Sequence, residues 1–139
     1  DNDVIPSWAG NLKAFFTVNK ELRTVNVVLK YAYTGTDTIV GRGQATCDPT
    51  DVFNVHIGKA IALDRALGRV TDERILRAPN PDVLVPGMVV EDTYFRGQAS
   101  GKVASLKTGA MGSPGYVSTE GGWSFIADAV IVEDTDAQY

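Results

Sequence analysis

Few residues of this chain could do covalent or acid-base chemistry. His56 is the single histidine and Cys47 the single cysteine. A Ser-His-acid triad needs a base held against a nucleophile, and no Gly-x-Ser-x-Gly elbow accompanies His56. The histidine falls toward the edge of a helical apolar arc and reads as a partly covered structural residue. One His and one Cys do not make a zinc site. The acidic pairs Glu91-Asp92 and Glu133-Asp134 point to opposite faces if they lie in strands, as solvated strand ends do. The run 97–103, Gly-Gln-Ala-Ser-Gly-Lys-Val, is one residue short of a phosphate loop and lacks the Ser or Thr that holds magnesium. Gly41-Arg42-Gly43 is followed by Thr46 where a dinucleotide fingerprint needs its third glycine. The chain is therefore expected not to be an enzyme, and no metal or cofactor is expected.

The spacing that does suggest binding is Arg65 with Arg69. Four residues apart on a helix, two guanidinium groups project together. They repel unless an anion, a carboxylate or a phosphate lies between them. Gly58 and Ala62 leave the same side shallow, which suits a phosphorylated ligand. The alternatives are a solvated face with Asp72 and Glu73 as partners, or a helix packed on a second subunit. Asp64 falls near the centre of the apolar arc, so its carboxylate must be paired, with an Arg as the expected partner.

The elements that carry these residues follow from periodicity. Val25, Val27, Leu29, Tyr31 and Tyr33 alternate with Asn26, Val28, Lys30 and Ala32, the period of a half-buried strand. Turn residues at 34–37 lead to a second strand over 39–47, whose Gly41, Gly43, Ala45 and Cys47 make one face flat enough for a helix backbone to approach. Asp48-Pro49-Thr50-Asp51 has the chemistry of a helix start. The helix is expected to run to Leu67, before Gly68, and to cover the hairpin with Phe53, Ile57, Ala60, Ile61, Leu63, Leu67 and Val70. A short second helix is expected over 71–77, with Asp72 and Glu73 in its first turn. Pro79, Pro81 and Pro86 then form a stiff connector. Beyond it, β-prone runs at 88–91, 101–107, 115–119, 123–127 and 129–133 are separated by glycine-rich turns, with Gly121-Gly122 a hairpin signal. Residues 12–18 add a strand, and the aromatic arm with Trp8, Phe15 and Phe16 is expected to pack on the core or on a neighbouring subunit.

The fold class is thus α+β: a β-hairpin plus helix unit over 1–78 with an aromatic N-terminal arm, a Pro-rich connector over 79–86, and a small β-rich, barrel-like segment over 87–139. At 139 residues, with 44% hydrophobic and 22% charged side chains, the chain has the balance of a globular protein and is long enough to bury a core. No apolar stretch is long enough for a membrane span. The start, Asp1-Asn2-Asp3, is acidic and lacks Met, so no secretory signal is read and an upstream piece has room. The lone Cys47 excludes an intrachain disulfide and fits a reducing cytoplasm. The net charge of −4 disfavours a non-specific nucleic-acid binder. The acidity lies in residues 87–139, with three basic against seven acidic side chains, while residues 1–86 balance at ten each.

The string Gly43-Gln44-Ala45-Thr46-Cys47-Asp48-Pro49-Thr50-Asp51-Val52-Phe53-Asn54, followed by Gly58, Ala62 and Arg65-Ala66-Leu67, resembles a pattern of small phage proteins. In these, a β-hairpin ends in a Cys-Asn-Pro-type corner and leads into a helix reading Gly-x-x-(Leu/Ile)-Ala-x-x-Arg-Ala. The resemblance covers about 45 of 139 residues. Two groups share it: phage proteins with a double-stranded-RNA-binding-domain-like (dsRBD-like) fold, and phage anti-Thoeris proteins, oligomeric sponges that sequester cyclic nucleotide immune signals without hydrolysing them. The second resemblance implies ligand-contacting roles for Asp48, which stands where the pattern has Asn, and for Arg65 and Arg69.

The leading expectation is a phage anti-defence sponge in the host cytoplasm, homo-oligomeric, holding a small phosphorylated nucleotide. Arg65 and Arg69 would hold phosphate, Phe53 or Tyr31 would stack on a base, and Asp48 or Asn54 would bond polar edges. Two alternatives stay open. One is a dsRBD-like nucleic-acid-binding module with Lys30, Arg42 and the helix arginines on phosphates. The other is a virion structural or assembly protein, whose arm and β-rich part join subunits.

Overall fold

The computed structural model describes residues 11–31, 38–93, 99–107 and 115–139. The chain divides into two compact units, the first built from Asp1–Cys47 and Val55–Ala78, the second from Asp48–Asn54 and Pro79–Tyr139. It is an α+β protein with strands in two antiparallel sheets.

In the first unit, β1 (Leu12–Asn19), β2 (Thr24–Tyr31) and β3 (Ile39–Thr46) form an antiparallel sheet in that order. The β1–β2 turn closes when the Asn19 side chain accepts the Leu22 N–H at 2.9 Å, and Arg23 takes a left-handed φ of 53°. The expected hairpin of β2 and β3 is present. Its turn at 34–37, with Tyr33, lies outside the described residues, as does Trp8. Val25, Val27 and Leu29 are buried on one face, as the alternation requires.

The helix α1 (Val55–Ala66) covers that face. A methyl group added at Gly43 would fall inside the Ala62 carbonyl oxygen, and one at Gly41 would lie 2.6 Å from that of Ala66. The flat glycine face does admit a helix backbone, but through the opposite side of the helix from the one expected. The buried residues of α1 are Val55, Gly58 and Ala62. Ile57, Ala60, Ile61, Leu63 and Leu67 are only half-buried, and Val70 is 96% exposed beyond the helix. Close approach to a glycine-bearing strand demands small residues on both partners, so the small face wins over the bulky one. The strip at Gly58 and Ala62 is thus a packing seam and not a shallow ligand surface.

The helix also starts later than expected. Asp48 accepts the Thr50 N–H and hydroxyl at 2.9 and 2.7 Å, closing a local turn rather than capping a helix. At its other end, Gly68 (φ 69°) donates to the Arg65 carbonyl and Arg69 to that of Asp64, a Schellman close that turns the chain off the helix axis. The short α2 (Glu73–Leu76) follows, with Asp72 accepting the Arg74 N–H as its N-cap.

The second unit holds β4 (Val89–Asp92), β5 (Gly101–Lys107), β6 (Tyr116–Thr119), β7 (Gly122–Phe125) and β8 (Ala129–Glu133). Their order is β7-β6-β5-β4-β8, an open sheet and not a closed barrel. The hairpin expected near Gly121-Gly122 joins β6 to β7, and Gly122 has φ 138°. Val90, Val103 and Val117 form the core, with Leu84, Leu106, Ala129 and Ile131 against it. Segment 48–54 joins this unit through Phe53, whose N–H donates to the Val132 carbonyl and whose carbonyl accepts from Asp134. Among the described residues, no helix is long and apolar enough to cross a membrane.

Candidate functional site

The six residues singled out for ligand contact do not lie in one unit: Tyr31, Arg65 and Arg69 belong to the first, Asp48, Phe53 and Asn54 to the second. Arg65 and Arg69 do not project as a pair. Arg65 sits in the last turn of α1 and donates to the Gln44 carbonyl of β3 at 2.7 Å. Arg69 lies past the Schellman turn and forms an ion pair with Asp64 at 2.9 Å, the two side chains 26% and 16% exposed. The expected Arg partner of Asp64 is therefore Arg69, and that pairing takes one guanidinium out of the supposed anion clamp.

Phe53 is 4% exposed, so its ring is core and has no face to offer a base. The Asn54 amide donates to the Asp134 carboxylate at 2.9 Å. Tyr31 is 39% exposed at the end of β2. Asp48 is exposed, its carboxylate engaged by Thr50. His56 is exposed rather than partly covered. Among the described residues, no group of His, Cys, Asp and Glu could hold a metal ion.

The side chains that do gather are on the outer face of the first sheet, away from α1. Opposed residues of an antiparallel pair share a face, so register defines it row by row. Lys13 opposes Lys30; Phe15 opposes Val28, which opposes Arg42; Thr17 opposes Asn26, which opposes Gln44. No residue of the three strands is acidic, whereas Lys13, Lys30 and Arg42 are basic. Like charges directly opposed across a sheet destabilise it. Lys30 meets this partly by lying over the Phe15 ring, 5.5 Å from its centroid. Phe15 is 52% exposed, so of the two places expected for this aromatic, the core or a neighbouring subunit, it does not take the core. A shallow, open depression of about 390 Å³ lies between the second and third rows, lined by Asn26, Val27, Val28, Arg42, Gly43 and Gln44.

The face thus runs from a lysine row, through a row of Phe15, Val28 and Arg42, to a row of Thr17, Asn26 and Gln44. The signal lies in the sequence as the polar register of the hairpin, where Lys30 and Arg42 are the phosphate contacts of the nucleic-acid alternative. What periodicity could not supply was the pairing of β1, which brings Lys13 and Phe15 beside them.

The second sheet has an exposed aromatic face of another kind. Trp123 meets Tyr116 and Phe125 edge-on, with centroids 6.2 and 5.4 Å apart, and Lys107 lies over Tyr116.

A scan against protein-family models finds no match to this chain, and searches of curated proteins and of solved structures find none at a significant level.

Proposed function

We propose that the chain is a non-enzymatic binding protein whose first unit takes single-stranded nucleic acid on the open face of its three-stranded sheet. The observation that carries this is a sheet face on which the three strands place Lys13, Lys30, Arg42 and an exposed Phe15 and no acidic side chain, in a chain whose net charge is −4. The face supplies the two features that a strand-binding surface uses: cations for the backbone and an aromatic platform for bases. The likeness of residues 43–67 to small phage proteins with a dsRBD-like fold points to nucleic acid too, although here the sheet is the surface put forward.

A sequestered cyclic nucleotide would ask for a pocket that encloses most of its surface. The described face is open, which favours an extended strand. A native mass spectrum of freshly purified protein checks the sponge alternative separately, since a retained nucleotide would add its mass.

Fluorescence anisotropy with a labelled single-stranded oligonucleotide tests the proposal. Lys13 and Lys30 on two phosphates predict a slope of about −1.4 for the logarithm of affinity against that of salt. Phe15→Ala should cost about 1–3 kcal/mol of binding with the fold intact. Absence of binding at low salt, or binding that survives Lys13→Gln, Lys30→Gln and Arg42→Gln together, would overturn it.

A further inference from the structure

We propose that the Asn26, Arg42 and Gln44 corner of this face recognises purine bases by their N7 edge. The inference rests on the strand-binding reading and adds base selectivity to it. Successive rows of one sheet face stand about 7 Å apart, two residues along each strand. A nucleotide laid across them puts its phosphate at the Lys13–Lys30 row, its base against Phe15 and Val28, and its base edge at the amide row.

Three observations favour this corner. The depression there is lined by Asn26, Arg42 and Gln44 among its six residues. Among the described residues, no hydrogen bond or ion pair engages the Asn26, Arg42 or Gln44 side chains, so their donors and acceptors are uncommitted. The charge is complementary, because none of the three strands contributes a carboxylate to compete for the guanidinium.

The residue types then set the selectivity. Arg donates two parallel N–H bonds to O6 and N7 of guanine, while Asn or Gln pairs a donor and an acceptor with N7 and N6 of adenine. Pyrimidines have no N7. Arg42 with two neighbouring amides therefore accommodates either purine, and over a pyrimidine it loses the N7 partner of the bidentate pair.

The test compares single strands of equal length: a mixed adenine-guanine strand, the same strand with 7-deazapurines, and a mixed cytosine-thymine strand. The purine strand should bind roughly tenfold tighter than the pyrimidine strand, and the 7-deaza strand should fall to the pyrimidine level. Combining Arg42→Lys with Asn26→Ala and Gln44→Ala keeps the positive charge and should erase the preference, bringing purine binding down to the level of the pyrimidine strand on the same variant. Equal affinity for all three strands, or a purine preference that survives 7-deaza substitution, overturns base-edge recognition and leaves strand binding standing. Absence of binding to every strand overturns both. The comparison of strands uses the unaltered protein, so it holds even if the triple variant folds poorly.

Discussion

The two sheets solve the problem of covering one face by opposite means. In the first unit, α1 comes down on β3 until backbone meets backbone, Gly41 and Gly43 against Ala66 and Ala62, while Gly58 makes room for the Val25 side chain of β2. In the second, the sheet is filled by side chains, with Val90, Val103 and Val117 at its centre, and it buries a polar pair. The Ser124 hydroxyl donates to the Asp92 carboxylate at 2.7 Å, and these residues are 0% and 4% exposed. A seam made by the absence of atoms tolerates no addition. A core made by interlocking groups tolerates small changes in shape but no lost hydrogen bond.

Gly43→Ala tests the seam and should have the largest effect. Its methyl group has no space beside the Ala62 carbonyl, so helix and strand must part, at a cost of about 3 kcal/mol or more, the top of the overpacking range. A thermal melt coincident with that of the unaltered protein would show that the helix does not seat on glycine. Next, Ser124→Ala removes one donor from a buried carboxylate and should cost about 1–3 kcal/mol in denaturant unfolding. A neutral result there would erase the contrast between the two cores.

Smaller effects sharpen the picture at the helix terminus. Asp64→Asn unpairs Arg69, whose Nε is already buried without a hydrogen-bond partner, and should cost about 1 kcal/mol, because the pair is only partly shielded from water. If stability rose instead, the pair would be a burden on the fold and not a clasp.

The smallest effect is a pH dependence. The Arg74 side chain and backbone N–H hold the Asp72 carboxyl down from 3.8 to about 2. A lowered folded pKa stabilises the folded state above the unfolded value, and that stability drains away as pH falls through about 2. Asp72→Asn should therefore narrow its gap to the unaltered protein between pH 5 and pH 2 in thermal melts. The carboxylate is exposed to solvent, so the change is slight.

Much of this architecture was legible because strand periodicity and turn chemistry are local. The runs at 101–107 and 129–133 coincide with β5 and β8, and Gly68 ends its helix by the conformation only glycine adopts readily. The face of α1 was not legible. Its apolar and small residues are spread around the axis, so spacing alone favours the bulky side, whereas the glycines of β3, a tertiary partner, decide for the small one. Arg65 and Arg69 misled for a related reason. A four-residue spacing implies a shared face only while the helix continues, and here it stops between them. The cap chemistry of 48–51 points Phe53 toward the helix. The long-range bridge to β8 that claims it leaves no trace in local sequence.

That excursion of residues 48–54 has a practical result for anyone dissecting the molecule. The polypeptide crosses from one body to the other more than once, so no single scissile position yields two intact halves. A fragment ending at Ala78 would carry Phe53 without its β8 partner and expose a ring that the full-length chain hides, inviting precipitation. The complementary fragment would lack the stretch that closes its own edge. Trimming at the proline-rich stretch, the obvious place to cut, should therefore harm both products, and two sticky fragments would say nothing against either body being well formed in the whole.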